Sequence, residues 1–314
     1  MLGAMRLRSR YPQWMRKSTY TRRAALALVG IVAIYLGSGI AAAALLTRRA
    51  HAPTAEPAPE GYRDVRLRTS DGEQIGGWLA SSAGDDVAVV IAHGNGASRS
   101  ALLDEADDLR ARGCTVMPIS LRAHGDSSGE RNDIGWSARR DIVAAVDHLR
   151  AEAPSRPVVD MGTSLGAAAA LFAGAEEDLH ADAYVLVGVF ADLRLAVRRR
   201  TRRYLPVGIE ALAYGALLAA APLVLPELDS ISPASAAARL PASTRALFIV
   251  GADDDRAPLE DARAVAQPVR QARVVVLPGL DHEDLAHVVE QPAWSEAIDE
   301  LLAAVRGTAL EGGR

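Results

Sequence analysis

The sequence predicts an α/β chain built on a doubly wound, mainly parallel sheet, and three observations carry that prediction. Short apolar runs that read as buried strands alternate with helix-like runs over residues 87–305. One strand-like run passes straight into an alanine-rich helix through Gly162-Thr163-Ser164-Leu165-Gly166. The residues able to do chemistry all fall at the carboxyl ends of strand-like runs, where open α/β sheets hold their ligands.

The elements follow in order. Residues 62–68 alternate as a strand, Ser70-Asp71-Gly72 turns the chain, and residues 74–80 form the partner. After Gly84-Asp85-Asp86, the unbroken apolar run 87–92 fits a parallel strand covered on both faces. A helix over 101–112, a strand over 114–119 and a helix over 137–151 come next. The last of these places Ile142, Ala145, Val146 and Leu149 on one face. The strand 157–161 leads into the elbow and its helix, and strands are expected again at 183–189, 246–250 and 273–277. Helices are expected at 259–266 and 294–305. No internal repeat interrupts this order.

Ahead of the domain, residues 1–23 carry seven basic residues and no acid, and residues 24–46 are 23 residues without a charge. A helix of about 20 apolar residues crosses a hydrocarbon core, so this run is long enough for a membrane anchor. The basic flank is expected to stay cytoplasmic, which puts the rest of the chain outside a cell membrane spanned once. A cleaved signal peptide, with Ala50-His51-Ala52 as its small-residue cleavage site, is the alternative. The apolar run exceeds the roughly 7–15 residues of a signal core. Thr21-Arg22-Arg23 is only a faint twin-arginine signal. Residues 47–60, with Pro53, Pro57 and Pro59, read as a linker, so the globular domain spans residues 61–314.

At 314 residues, with 49% hydrophobic and 24% charged, the chain supports one large domain, and a net charge of −4 argues against a nucleic-acid partner. The single cysteine, Cys114, excludes an internal disulfide framework and reads as buried filler. The strand–helix alternation stops over residues 191–240. Five arginines cluster at 198–203, and 206–225 is nearly all apolar, broken by Glu210 and Pro222. A second membrane span here would strand Ser164 on the side opposite the later acid and histidine. An apolar lid over the site is therefore expected, suited to a greasy acyl group. The arginines read as a solvated helix face, with anionic lipid headgroups as the alternative contact.

The strand-to-helix turn forces Ser164 into a strained backbone, and the flanking glycines remove Cβ atoms that would collide. Its hydroxyl then stands above the sheet, beside the free N–H groups and positive dipole end of a helix. Such a serine needs a base and an acid that orients the base. His282, in a loop directly after a strand, supplies the base, and Asp253, Asp254 and Asp255 are the acids that follow strand 246–250. The loop His93-Gly94-Asn95-Gly96 fails as a dinucleotide site, since Arg99 stands where a third glycine belongs. Read as an oxyanion loop, it sets the N–H of Asn95 opposite that of Leu165. Gly125-Asp126-Ser127-Ser128-Gly129 repeats the elbow pattern, but polar loop follows it, so Ser127 is a poor nucleophile. His287 reads as structural, and His148 and His180 as surface residues. The acids around 253–255 and 281–284 match no metal-ligand spacing, so no metal or other cofactor is expected.

HGNG, LRAHGDSSG, GTSLG, GADDDRAP and LDH together resemble the α/β-hydrolase superfamily, above all membrane-anchored, serine aminopeptidase-like hydrolases with one amino-terminal span. The order serine, acid, histidine is that of the superfamily. The likeness covers about residues 62–305. It implies Ser164 as nucleophile, His282 as base and Asp254 as acid, with Asn95 and Leu165 giving the oxyanion N–H groups. The implied reaction is cleavage of a carboxylic ester or thioester through an acyl-enzyme. A peptidase or amidase, and a catalytically silent membrane-tethered binding module, are the alternatives. The family usually has aspartate where Ser120 stands and glycine at Ala123, and Asp160 occupies a strand position that is usually apolar.

Overall fold

The computed structural model describes residues 13–49, 51–82, 84, 86–177, 179 and 181–312. The arginines before Gln13, Ala50 of the cleavage tripeptide, Asp85 and His180 lie outside the described residues. Eight strands form one sheet in the order β1-β2-β4-β3-β5-β6-β7-β8. β1 (Arg63–Arg68) and β2 (Gln74–Leu79) make the antiparallel hairpin at one edge, and β2 is antiparallel to β4 (Thr115–Ser120). The rest is parallel: β3 (Ala88–Ala92), β5 (Val158–Thr163), β6 (Ala183–Val187), β7 (Arg245–Gly251) and β8 (Gln271–Leu277).

Both faces of this sheet are buried because every second residue of its central strands belongs to a different core. Val89, Ile91, Val159 and Met161 pack toward α2 (Leu103–Ala111) and α9 (Pro292–Gly312), around the fully buried Trp294. Ala88, Val90 and Val158 pack the other way, toward α3 (Arg139–Glu152) and α4 (Leu165–Glu176). The helix expected at 101–112 begins as a short 3-10 turn, Arg99–Leu102, and α8 (Leu259–Ala266) has the bounds expected. Cys114 is buried, and that burial pushes its thiol up to about 11.

Within 191–240, α5 (Leu193–Tyr204) and α6 (Ile209–Val224) lie over the carboxyl end of the sheet, and Leu225 and Leu228 after them line the same cavity. The short α7 (Pro233–Ala237) is core instead, with Ala236 and Ala237 buried against residues of α4 and α8. The arginines of α5 are largely paired: Arg194 with Asp229, Arg199 with the buried Asp261, and Arg203 with Asp255.

The long first helix α1 (Gln13–Leu46) contains an apolar stretch, Thr21–Leu46, of mean hydropathy 2.2 and length sufficient for a membrane span. Its last turns lean on α6, where the Tyr35 hydroxyl donates to the Leu212 carbonyl at 2.9 Å. The proline-bearing stretch after it is pinned to the domain. Arg49 donates to the carbonyls of Gly125 and Gly129, and the Glu56 carboxylate accepts from Ser120 at 2.7 Å. Glu56 and Asp126 together neutralise Arg99, whose side chain is fully buried. The small Ser120 lies between Glu56 and Arg99, its hydroxyl donating to Glu56 and accepting from the Arg99 guanidinium at 3.3 Å.

Candidate active site

β5 ends at Thr163 and α4 begins at Leu165, so Ser164 alone makes the turn, with φ 52° and ψ −103°. Only close packing of backbone on backbone holds such a conformation, and two glycines permit it. A Cβ at Gly162 would stand 2.3 Å from the Gly166 carbonyl carbon, and one at Gly166 would stand 2.3 Å from the Ala92 carbonyl oxygen. The serine N–H is anchored by donating to Val187 O at 2.8 Å.

The Ser164 Oγ lies 3.2 Å from His282 Nε2, and the His282 Nδ1 lies 2.7 Å from Asp254 Oδ2. A carboxylate only accepts, so Nδ1 carries the imidazole proton and Nε2 is left as acceptor for the serine hydroxyl. Asp254 is buried, and its second oxygen accepts the N–H groups of Arg256 at 2.9 Å and Ala257 at 2.8 Å. Those two bonds fix the carboxylate's direction. Asp253 is exposed, and Asp255 is exposed and paired with Arg203. Of the three aspartates, then, only the middle one meets the histidine. Gly188 makes room for the ring: a Cβ there would stand 3.3 Å from His282 Cε1.

Asn95, Leu165, Ser164 and His282 share one cavity of about 480 Å³. Leu165 is the first residue of α4, so its N–H has no acceptor within the helix. The loop carrying Asn95 is fastened by two histidines. His93 Nε2 accepts from the Leu121 N–H at 3.0 Å, and His124 Nε2 accepts from the Gly96 N–H at 3.2 Å. Both must be neutral to accept. Burial, together with the neighbouring His124, drives His93 down to about 3, and burial lowers His124 as well.

Sequence reasoning missed several residues here. Asn132 donates its amide to Asn95 Oδ1 at 2.6 Å and accepts the Ile134 N–H at 3.1 Å. Ile134, β-branched yet at φ 55°, is pushed into the cavity wall. A polar loop gives no pattern from which such a role can be read. Ser127 is held by structure alone: buried, it donates to Ser120 O and accepts from the Gly76 N–H at 2.9 Å. His287 is exposed, whereas His148 is partly buried beside Glu152 on α3.

Ala123 has φ 60°, a left-handed backbone that favours glycine. Ala123→Gly relieves that strain and should stabilise the fold by up to about 1 kcal/mol, the left-handed penalty less the entropy that glycine adds to the unfolded chain. Chemical denaturation reads this directly, and an unchanged or lower midpoint contradicts it.

An elbow serine, a histidine behind it and a parallel sheet beneath define an α/β hydrolase. The α/β hydrolase family model matches residues 89–297, and the chain belongs to that family. An uncharacterised protein of Mycobacterium tuberculosis is 30% identical over 272 residues, which span 83% of this chain and 89% of that relative. Among solved structures, an esterase of Pyrococcus furiosus superposes with a TM-score of 0.63 at 20% identity, covering 81% of this chain and 99% of its own. A membrane phospholipase A, described as a bacterial virulence factor, superposes with a TM-score of 0.55 at 17% identity, covering 93% and 98%.

Proposed function

We propose that this chain is a membrane-anchored serine hydrolase that cleaves carboxylic esters or thioesters with an apolar acyl part. The observation that carries the reading is the unbroken hydrogen-bond line from Ser164 Oγ through His282 to the buried Asp254, with Ser164 and His282 opening onto a cavity of largely apolar lining.

In the first step the Ser164 oxygen attacks the acyl carbon while its proton passes to His282 Nε2. Asp254 holds the opposite edge of the ring and stabilises the imidazolium that forms. The carbonyl oxygen, now negative, accepts from the N–H groups of Leu165 and Asn95, each such donor being worth about 2.7–4 kcal/mol. Collapse breaks the bond to the alcohol or thiol, which leaves with the proton from His282. Water then repeats the sequence on the acyl-enzyme, and the acid departs. No group beyond these side chains and water enters the balance.

Fluorophosphonate labelling tests this reading: Ser164 in the wild-type chain should be modified, and Ser164→Ala should not. No labelling of the wild type, or equal labelling of both, overturns it. Faster turnover of aminoacyl anilides than of aryl esters would move the assignment to a peptidase or amidase.

The apolar stretch Thr21–Leu46 is the proposed anchor, retained rather than cleaved, with the basic end cytoplasmic and the hydrolase domain outside. Protease added to intact cells or spheroplasts should then reach the domain. A domain reached only after the membrane is broken reverses the orientation.

A further inference from the structure

The helix taken as the anchor does not stop at holding the domain near a membrane. Tyr35, Gly39, Ala43 and Thr47, spaced one helical turn apart, form the side of α1 that is covered, while Leu26, Val29, Ile31 and Ile34 stay exposed. The covered side lies against α6 at very close range. A Cβ at Gly39 would stand 2.3 Å from the Ala216 carbonyl oxygen. The end of α1 also reaches the oxyanion loop. The Thr47 carbonyl accepts the Asn132 N–H at 2.7 Å, and the Asn132 amide donates to Asn95.

The cavity holding Ser164 and His282 runs into this seam. Ala43 and Leu46 of α1, Thr47 just after it, and Leu217, Leu218 and Ala221 of α6 line it. Five of those six side chains are aliphatic and none is charged, so this end of the cavity is an apolar slot. The outer side of α6 is apolar too, with Ile209, Leu212 and Leu223 each more than half exposed. A 26-residue apolar run measures about 39 Å as helix, against a hydrocarbon core of about 30 Å. Residues 35–46 cover its last roughly 18 Å, so with the run set across a bilayer α6 would lie beside the lipid tails of one leaflet. An apolar side of α6 turned to water would be costly, and turned to lipid tails it is not.

We propose that the acyl chain of a membrane lipid ester occupies the end of this cavity walled by Ala43 and Leu46 of α1 and Leu217, Leu218 and Ala221 of α6, beyond the closed Gly39–Ala216 contact, entering from the leaflet. The membrane helix is then a wall of the substrate site, and Ala43, 8% exposed and lining the slot, limits acyl length. This rests on the hydrolase reading above and names its substrate class.

The test uses the full chain in liposomes. For Ala43→Trp, the ratio of kcat/KM for an aryl palmitate to that for an aryl butyrate should fall by about tenfold or more, since blocking several methylenes forfeits their burial. Ile31→Trp, exposed on the same helix but outside the slot, should keep the wild-type ratio. An unchanged ratio in Ala43→Trp overturns the proposal. A second measurement does not depend on tolerating an indole. In Ala43→Cys, prior reaction of Ser164 with a hexadecyl fluorophosphonate should shield the introduced thiol from maleimide, whereas an ethyl fluorophosphonate should not. The natural thiol, Cys114, is buried and held protonated. Equal maleimide reactivity after both reagents sinks the seam. Failure of both reagents to modify Ser164 would instead sink the hydrolase reading, and failure of the hexadecyl reagent alone would overturn the acyl slot.

Discussion

Ser164→Ala should lower kcat on an aryl ester by a factor on the order of 10⁴ or more, leaving a residue of catalysis from binding and the oxyanion N–H groups. In free-energy terms that is about 5–6 kcal/mol of transition-state stabilisation. His282→Ala should cost nearly as much, and the double variant little more than either, because the proton has no path without both atoms of the 3.2 Å contact. Asp254→Asn is the sharper case. Two backbone N–H groups already hold one oxygen of Asp254, so an amide would turn its oxygen to them and its NH₂ to His282. The ring would flip its proton to Nε2, and the serine would face a donor where it needs an acceptor. Steady-state kinetics with active-site titration reads all three. Additive losses in the double variant would mean that Ser164 and His282 do not act as one unit.

What could be read from the sequence and what could not divide along physical lines. Strands buried on both faces announce themselves as continuous apolar runs, which is why β3 and β5–β7 stand close to where periodicity puts them. The Ser164 turn is legible because the two clashes that require glycine are local to five residues. The acid is not legible at one-residue resolution. Which of Asp253, Asp254 and Asp255 turns inward depends on the N–H groups of Arg256 and Ala257 and on a distant Arg203. The docking of α1 was hidden for a different reason. Tyr35, Gly39, Ala43 and Thr47 sit in a run that is apolar all round, so the side facing α6 has no contrast with the exposed side. Arg99 inverts the usual expectation for its type, since it is fully buried, and its charge is balanced by the carboxylates of Glu56 and Asp126 from distant stretches.

Asp160 should carry an avoidable cost in this fold, and its signature is a dependence on pH. The residue is fully buried in β5, between Val90 of β3 and Tyr184 of β6, and neither carboxyl oxygen has a hydrogen-bond partner. Burial pushes its carboxyl up to about 8, against about 3.9 in an unfolded chain. Between those values the folded state holds a proton that the unfolded state has released. Stability from this group is therefore complete below about pH 4 and drains as pH rises toward 8, by at most about 1.4 kcal/mol per unit. Asp160→Asn removes the titration and keeps an unpaired polar group, so its unfolding free energy should gain on the wild type steadily from pH 5 to pH 8. Asp160→Val removes both, and should add about 1–3 kcal/mol even at pH 5, the usual cost of a buried polar group without a partner. Denaturant melts of the three chains across that range decide it. A wild-type curve that runs parallel to Asp160→Asn would show that the carboxyl is ionised and paired in the folded protein after all.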